Sequence, residues 1–274
     1  MRAEILIVGN ELLNGTTLDT NSFWLSKELV RTGFMVDRKT TVRDELPAIS
    51  LAFKQCISRK PDWVFSVGGL GPTYDDMTVC GLALALHRRL KLDPEAVGML
   101  RENYKERARL FKRPVKRLTK ASMKMAMIPQ GAKPLHNPVG SAPAILARSG
   151  QTRIVSLPGV PSEMKGIFLN AVVPLLKNSS FTNAEEWIRL QGISESQLSP
   201  TISRISRKHD PLLYVKSHPK GFENGLSVIQ VQLILITTLQ ERRAGLKDLN
   251  DAAREMEIAS RKLGARVTRV KSIR

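Results

Sequence analysis

The chain has 274 residues, of which 42% are hydrophobic and 25% are charged, so it is long enough for one large or two smaller globular domains. No apolar run approaches the ~20 residues that a membrane-spanning helix needs, and the N-terminus shows no signal-peptide pattern, which excludes a membrane partner and favours a cytoplasmic protein. The net charge of +18 favours anionic nucleotides or nucleic acid as partners, although a host with basic proteins would explain it equally well.

The first part of the chain alternates between apolar strands and helices, a pattern typical of a mostly parallel sheet covered by helices. The predicted order is a strand at 4–8, a helix at 22–31, a strand at 35–42, a helix at 46–58, a strand at 63–67 and a helix at 77–86. Ligands gather at the carboxyl ends of parallel strands. Asn10, Asp44 and Gly68–Asp76 follow strands at that edge and are therefore candidates for a site.

The segment Gly68–Thr78 organises this part of the chain. Its three glycines and one proline let the backbone turn tightly between the third strand and the third helix, which presents backbone N–H groups to an anion. Asp75 and Asp76 would repel a phosphate unless a divalent cation lies between them, so the segment predicts a metal-bridged phosphate site. A structural alternative is that Thr73 or Asp75 caps the helix and that both acids favour its positive end.

A helix that opens at Asp93-Pro94-Glu95 continues into a strongly basic stretch, from Arg101 to Lys120. This stretch is either a nucleic-acid patch or a solvated helical face in an already basic protein. The second interpretation is favoured because few aromatic residues interleave the charges. The hypothesis of nucleic-acid binding is therefore supported by the net charge alone.

Two turn-rich loops follow, at Leu135–Pro143 and Leu157–Met164, and their glycines, prolines and small polar residues allow the backbone to approach a ligand closely. Between them, residues 144–147 and 153–157 predict a hairpin about Ser149-Gly150. The four histidines lack metal-ligand spacing, and we single out only His136, which lies beside the first loop. The two cysteines, on apolar helical stretches, are expected to be small buried thiols.

Pro161 begins a helix that is expected to reach about Leu176, and Lys177–Ser180 is the candidate boundary between domains 1–177 and 181–274. Beyond it the predicted order is a strand at 187–190, a helix at 196–208, strands at 212–217 and 226–237, a helix at about 246–263 and a strand at 267–270. This β-α-β-β-α-β order is that of the split unit in ferredoxin-like domains. A smaller α+β domain of ferredoxin-like or similar fold is therefore expected.

Five motifs, in one order along residues 4–176, together resemble the N-terminal domain of the CinA (competence-damage-inducible) protein family, within the molybdopterin-binding superfamily of MogA and MoaB. The motifs are Gly9–Leu13, Asp19–Asn21, Gly68–Thr78, Asn137–Pro143 and Leu157–Met164. Glu195-Ser196 and Ser217–Gly221 resemble the smaller middle domain of the same proteins more weakly. The resemblance implies a three-layer α/β/α fold for the first domain.

The CinA resemblance implies an enzyme that hydrolyses ADP-ribose to AMP and ribose 5-phosphate with a metal ion. The alternative is the chemistry of the MogA branch, in which the same scaffold binds and adenylylates molybdopterin during molybdenum cofactor synthesis. A second alternative, suggested by the charge, is a non-enzymatic nucleic-acid-associated protein. The expected partners are a small nucleotide substrate and further copies of the chain, since relatives commonly form dimers or trimers.

For the hydrolase, the expected cofactor is a divalent cation (Mg²⁺, Co²⁺ or Ni²⁺) held by Asp44, Asp75 and Asp76, with a monovalent cation as a further candidate. Such a cation bridges the diphosphate and lowers the pKa of a bound water. The expected catalytic residues are Asp75, Asp76, Asn10 and Glu11. The expected substrate-binding residues are Gly68, Gly69, Leu70, Gly71, Pro72, Thr73, Asn137, Gly140, Ser141, Ala142, Pro158, Gly159, Pro161 and Glu163.

Two features depart from the family pattern. The usual Ala-Pro-Gly is replaced by Ala142-Pro143-Ala144, and the added methyl group is expected to narrow the pocket. Bacterial CinA proteins also carry a C-terminal nicotinamide-nucleotide amidase domain. Because the sequence ends at Arg274, the chain is expected to be the archaeal type that lacks this domain.

Overall fold

A computed structural model describes residues 1–115, 117–176, 181–209, 213–238 and 240–270 of the chain. The chain divides into two compact units, the first formed by residues 1–30 and 34–178 and the second by residues 179–274 together with 31–33. The predicted boundary at 177–180 lies outside the described residues. Within the described ranges, no helix has both the length and the apolar composition needed to cross a membrane.

The first unit is built on a mostly parallel six-stranded sheet. The strands of this unit, including two outside the sheet, are β1 (Arg2–Val8), β2 (Met35–Val42), β3 (Trp63–Val67), β4 (Leu90–Leu92), β5 (Met127–Pro129), β6 (Lys133–Leu135), β7 (Ala144–Ser149) and β8 (Thr152–Leu157). The sheet order is β2-β1-β3-β8-β7-β6, and β7 runs in the opposite direction to the other five strands. Strands β4 and β5 form a separate antiparallel pair.

Helices cover both faces of this sheet, which makes the first unit a three-layer α/β/α structure, as predicted. They are α1 (Asn10–Leu13), α2 (Thr20–Arg31), α3 (Leu46–Ser58), α4 (Thr78–Ala85), α5 (Pro94–Leu110), α6 (Lys120–Lys124), α7 (Pro161–Ile167) and α8 (Val173–Leu176). A π-helical turn, Phe168–Val172, joins α7 to α8. Asp19 accepts a hydrogen bond from the backbone N–H of Ser22 (2.8 Å) and stabilises the start of α2.

Alternation along the strands divides the core of the first unit between the two faces of the sheet. In β1, Ile5 and Ile7 pack with α2 and with the α7–α8 segment, whereas Leu6 and Val8 pack with α3 and α4. Successive side chains of a strand point to opposite faces, so a strand covered on both sides needs a continuous apolar run. The apolar run in β1 and its burial follow from that requirement.

Glu4 is the exception in this run. It is 2% exposed, and its carboxylate accepts hydrogen bonds from Arg59 Nε (2.7 Å) and Nη2 (2.6 Å). Burial, together with the negative charge of Glu4, raises the pKa of the neighbouring Cys56 thiol to about 12, so this thiol is protonated and unreactive at neutral pH. Cys56 is buried as predicted, whereas Cys80 is only half-buried, and both are free.

Most predicted elements of the first unit are confirmed. β2 and α3 span the predicted residues, β7 and β8 form the predicted hairpin, and Asp93 caps α5 by accepting a hydrogen bond from the N–H of Ala96 (2.9 Å). The sequence does not predict α1 or the β4–β5 pair, because segments of three or four residues carry too little periodicity.

The second unit is a four-stranded antiparallel sheet with two helices. Its elements are β9 (Phe181–Gln191), α9 (Glu195–His209), β10 (Leu213–Glu223), β11 (Leu226–Thr238), α10 (Arg242–Lys262) and β12 (Arg266–Val270). The sheet order is β10-β11-β9-β12, and the predicted β-α-β-β-α-β order is confirmed. Ile229, Val231, Leu233 and Leu235 share one buried face of β11, as their alternation predicts.

Candidate functional site

The loop of residues 68–73, which we call the glycine loop, requires glycine at its first position. Gly68 has a φ of 105°, and a Cβ atom there would lie 2.2 Å from the carbonyl oxygen of Val8. Its N–H donates to the carbonyl oxygen of Leu157 (3.0 Å), and its own carbonyl oxygen accepts from the hydroxyl of Thr78 (2.7 Å). Gly68 therefore joins the ends of β1 and β8 to the start of α4 where no side chain fits.

The next three backbone N–H groups of the glycine loop have no partner among the described residues. They belong to Gly69, Leu70 and Gly71. Backbone donors in folded proteins are almost always paired, so a run of three unpaired ones asks for an explanation. Successive N–H groups in a glycine-rich turn form a concavity that binds anions. This run is the clearest indication of a ligand in the first unit.

Asp75 and Asp76 fold back onto the glycine loop. Asp76 Oδ2 accepts hydrogen bonds from the N–H (2.8 Å) and the hydroxyl (2.6 Å) of Thr73, and the same hydroxyl contacts Asp75 Oδ1. The hydrogen bond from Thr73, followed by backbone N–H donation and the charge of Lys124, holds the pKa of Asp75 below its ordinary value. Asp75 is therefore ionised at neutral pH.

The interpretation of these residues as helix caps is wrong. Helix α4 begins only at Thr78, and the residue at its N-cap, Met77, makes no capping hydrogen bond through its side chain. Thr73 and Asp75 do not reach the helix because their side chains bond to each other within the loop. The two acids precede the helix instead of lying in its first turn.

A third aspartate, Asp44, follows β2 at the same edge of the sheet. Burial raises the pKa of Asp44, and the negative charges of Glu11, Asp75 and Asp76 raise it further, against the hydrogen bond from the backbone N–H of Asn10 (2.7 Å), which lowers it. The Oδ1 atom of Asn10 is buried and has no hydrogen-bond partner among the described residues. The acids repel one another, and a bound cation would relieve this repulsion.

We expect Asp44→Asn to raise the free energy of unfolding at neutral pH in metal-free buffer. The amide still accepts the hydrogen bond from Asn10 and no longer repels the neighbouring acids. Because the folded-state pKa of Asp44 lies above 3.8, the native wild type binds this proton more tightly than the unfolded chain does, and its stability falls as the pH rises through that pKa. Urea denaturation should show a gap between the proteins that widens with pH; a constant gap would contradict this expectation.

Asn137 organises the loop between β6 and β7. It is 1% exposed, and its Nδ2 group donates to the carbonyl oxygen of Ala142 (2.8 Å) and to Glu163 Oε2 (2.6 Å), while its Oδ1 accepts from the N–H groups of Val139 (3.0 Å) and Gly140 (2.8 Å). The carboxylate of Glu163 lies against Gly140, where a Cβ atom would come within 1.9 Å of it. Asn137 therefore fixes the loop and the position of Glu163.

Helix α5 contacts the same loop. Asn103, 3% exposed, donates from Nδ2 to the carbonyl oxygen of Asn137 (3.2 Å), and Arg107, one turn further, donates from Nη1 to Ser141 Oγ (3.0 Å). The rest of the predicted basic stretch is mostly solvated, and Lys116 lies outside the described residues. Arg107 is exposed, as the favoured interpretation of a solvated face predicts, but its hydrogen bond to Ser141 also attaches it to this loop.

These elements enclose a cleft of about 510 Å³. It brings together most of the predicted site residues: Glu11, Asp44, Gly68, Gly69, Leu70, Gly71, Pro72, Asp75, Asp76, Ser141, Ala142, Pro158, Gly159 and Glu163. The predicted residues that do not line it are Asn10, Thr73, Asn137, Gly140 and Pro161. Asn10, Thr73 and Asn137 instead hold lining residues through hydrogen bonds.

The cleft also contains side chains that the sequence analysis does not assign to a site, notably Tyr104, Arg107 and Met125. Their spacing in the sequence could have indicated that Tyr104 and Arg107 lie together, since residues three apart on a helix share a face. His136 does not line the cleft. The expected narrowing by Ala144 is wrong, because this residue is fully buried in the core at the start of β7 and does not line the cleft.

Across the described ranges, no three His, Cys, Asp or Glu side chains are arranged so that they could hold a metal ion. Asp44, Asp75 and Asp76 already accept hydrogen bonds from the protein. Their carboxylates suit a hard cation chemically, but the remaining ligands would have to come from water or from phosphate oxygens. Metal binding by these three residues stays a prediction.

A mostly parallel α/β/α sheet with a glycine loop and an acidic cleft at its carboxyl edge is typical of domains that bind a nucleotide or a cofactor. The family described as "Probable molybdopterin binding domain" matches residues 4–178, and the chain belongs to this family. The resemblance to MogA- and MoaB-like domains that the motifs indicate is thereby confirmed.

Similar proteins include one from Aeropyrum pernix, 44% identical over 93% of this chain and 94% of its own length, and one from Pyrobaculum arsenaticum, 40% identical over 97% of each. Among solved structures, CinA from Thermoplasma acidophilum, described as having unknown function, is 37% identical with a TM-score of 0.57. The match covers 64% of this chain and 99% of that one. This similarity supports the CinA resemblance of the first unit.

Proposed function

We propose that the first unit binds molybdopterin in the cleft and attaches an adenylyl group to its phosphate, as a step of molybdenum cofactor synthesis. The family match supports this function, because residues 4–178 include the whole cleft. The observation that carries the proposal is the run of N–H groups at Gly69–Gly71 that have no partner in the described part of the chain, since such a run suits the oxygens of a phosphate. Molybdopterin offers such a phosphate together with a planar ring.

In the proposed reaction, a phosphate oxygen of molybdopterin attacks the α-phosphorus of ATP. A new P–O bond forms, and pyrophosphate leaves with the electrons of the broken P–O bond. The glycine loop holds and orients phosphate oxygens, while Thr73 and Lys124 keep Asp75 ionised at its side. A divalent cation held by Asp75 and Asp76 would neutralise phosphate charge.

A second candidate function, metal-dependent hydrolysis of ADP-ribose to AMP and ribose 5-phosphate, is favoured by the acid cluster. Burial raises the pKa of Asp44, and the negative charges of Glu11, Asp75 and Asp76 raise it further, so four acids lie close enough to act on one cation. A cation bound there would supply a nucleophilic water, whose oxygen attacks one phosphorus of the diphosphate while the other phosphate leaves. Both reactions involve an adenylyl phosphoanhydride, so the same residues suit either.

The products separate the two functions. With ATP, MgCl₂ and molybdopterin, we expect adenylylated molybdopterin and pyrophosphate. With ADP-ribose and Mg²⁺, Co²⁺ or Ni²⁺, the second function predicts AMP and ribose 5-phosphate. Chromatography of both reactions decides between them, and the absence of all four products would overturn both proposals. Dimer or trimer formation and nucleic-acid binding stay predictions.

We expect Asp76→Asn to lower the kcat of the observed reaction at least about a hundredfold, because the variant loses the charge that balances a cation at the phosphate. The amide oxygen still accepts the hydrogen bonds from Thr73, so the loop keeps its anchor. Asp251→Asn, which removes a charge outside the cleft in the second unit, is the matched control and should retain the wild-type kcat. Wild-type turnover by a folded Asp76→Asn protein would contradict the assignment.

A further inference from the structure

We propose that Tyr104 and Arg107 on α5 form a second subsite of the cleft, which binds a planar ring and an anionic group directly, without a metal ion. The inference rests on the proposed function only in taking the cleft as the ligand site. It specifies the substrate class as a phosphorylated heteroaromatic compound with two separated anionic groups. One group lies at the glycine loop and the other at Arg107.

Negative charge predominates in the cleft. Five carboxylates line it, those of Glu11, Asp44, Asp75, Asp76 and Glu163, and Arg107 is the one lysine or arginine among the described lining residues. Arg107 nevertheless forms no ion pair with a described acid, since its hydrogen-bond partner is the neutral hydroxyl of Ser141 at 3.0 Å. Its charge is oriented by that hydrogen bond and is not neutralised.

A guanidinium group in this state is suited to an anionic ligand. It carries five N–H donors in a planar fork, and the bond to Ser141 uses only one of its nitrogen atoms. The fork matches the geometry of phosphate and carboxylate, which Arg binds through two parallel hydrogen bonds. The acids elsewhere in the cleft repel an anion, so a phosphate that binds without a cation is directed towards Arg107.

Tyr104 supplies the complementary surface for a ring. It lies three residues before Arg107, and residues at this spacing are neighbours on one side of a helix. Asn103, which is buried and bonded to the carbonyl oxygen of Asn137, fixes this part of α5 against the loop that carries Ser141. A heteroaromatic ring stacks favourably on the face of a tyrosine side chain. The two side chains together therefore recognise a ring that bears an anionic group.

The two anion positions differ in their dependence on metal. At the glycine loop, Asp75 and Asp76 lie beside the unpaired N–H groups, and a phosphate there benefits from a cation. At Arg107 no described carboxylate pairs with the guanidinium, and a phosphate binds without a cation. The contribution of Arg107 to affinity should therefore persist in EDTA, whereas that of Asp76 should require Mg²⁺.

The test is calorimetric titration of the full chain with AMP and with adenosine in EDTA. We expect wild type to bind AMP more tightly than adenosine, and Arg107→Gln to weaken AMP binding about tenfold while leaving adenosine unchanged. Arg107→Lys should restore part of the AMP affinity. Tyr104→Leu should weaken both ligands, and Tyr104→Phe neither. Arg109→Gln, which removes the same charge from the same helix outside the cleft, is the control and should change the affinity less than about twofold.

Three outcomes would overturn the inference. Equal affinity of the wild type for AMP and adenosine would show that the site does not recognise the phosphate group. Equal losses in Arg107→Gln and Arg109→Gln would assign the effect to net charge. A loss of adenosine affinity in Arg107→Gln would show that Arg107 only positions the loop through Ser141. If instead Asp76→Asn leaves affinity and turnover unchanged in Mg²⁺ while Arg107→Gln behaves as expected, the proposed function fails and the subsite stands.

Discussion

Gly68→Ala is expected to lower the free energy of unfolding by about 3 kcal/mol or more and to abolish ligand binding in the cleft. The added methyl group would lie 2.2 Å from the carbonyl oxygen of Val8, a backbone atom that cannot move without shifting the end of β1. The φ of 105° is in addition strained for any residue with a Cβ atom. Relief of the clash would displace the glycine loop, whose N–H groups are proposed to hold the phosphate.

Gly150→Ala is the control that separates the strain of a positive φ from the clash of the added methyl group with a neighbouring atom. Gly150 also has a positive φ, 56°, but in the β7–β8 turn an added methyl group would meet no atom within 4 Å beyond its chain neighbours. The substitution is therefore expected to lower the free energy of unfolding by about 1 kcal/mol, the cost of a left-handed backbone conformation for a residue with a Cβ atom. Urea denaturation of both variants measures the difference, and equal losses of stability would show that the approach of Gly68 to β1 does not constrain the fold.

Arg59→Met is expected to lower the free energy of unfolding by about 3–5 kcal/mol, because it leaves the carboxylate of Glu4 buried without its partner. Glu4 is 2% exposed, and Arg59 donates two hydrogen bonds to it, one to each oxygen. The Arg59 side chain is 31% exposed, but the Glu4 carboxylate that it neutralises is buried and has little access to water. Chemical denaturation at neutral pH measures the loss directly.

Two further variants identify the origin of this loss. Adding Glu4→Leu to Arg59→Met removes the unpaired charge and should recover most of the stability, since buried ion pairs can be replaced by apolar residues at little cost. Lys105→Met breaks an ion pair at the surface, in which the side chains of Lys105 and Glu102 are 59% and 63% exposed. This variant should lower the free energy of unfolding by less than about 0.5 kcal/mol. A loss in the double variant as large as in Arg59→Met would assign the effect to packing of the arginine stem.

Stability and ligand binding make opposing demands at the carboxyl edge of the sheet. Asp44, Asp75 and Asp76 lie where their charges repel, and Asp44→Asn is expected to stabilise the chain while it weakens any cation site. The N–H groups of Gly69, Leu70 and Gly71, which have no partner among the described residues, are likewise available to a ligand. Repulsion between the acids reduces the stability of the free protein, and a bound ligand or cation would compensate for this loss. The titrations described above measure the affinity of such a ligand.

Much of the fold could be predicted because its signals are local. Alternation predicts the buried face of β11, and apolar runs bounded by glycine and proline predict β1 and β3. The glycine loop and its two acids could be assigned to a site because strand, turn and helix follow one another within about fifteen residues. Asp44 could be added because the carboxyl ends of parallel strands meet at one edge of a sheet.

The features of the site that the sequence did not predict depend on contacts between parts of the chain that are distant in sequence. Apart from its spacing from Tyr104, the sequence does not distinguish Arg107 from the other basic residues of α5, and the packing of Asn103 against Asn137 brings it to Ser141. The effect of Ala144 on the cleft could not be predicted for the same reason, since the sequence places it at the start of a strand but does not show that its side chain faces the core. The capping interpretation is wrong because Thr73 finds its acceptors within the loop.

The sequence by itself determined the two-part organisation of elements, the α/β/α class of the first unit and the carboxyl edge at which a ligand is expected, because backbone chemistry and hydrophobic period act over a few residues. Only the tertiary structure decided which side chains face the cleft, which merely hold it, and which charges are left unpaired. Those properties depend on distances between β1, α5 and the loop at Asn137, and such distances arise only when the core has packed.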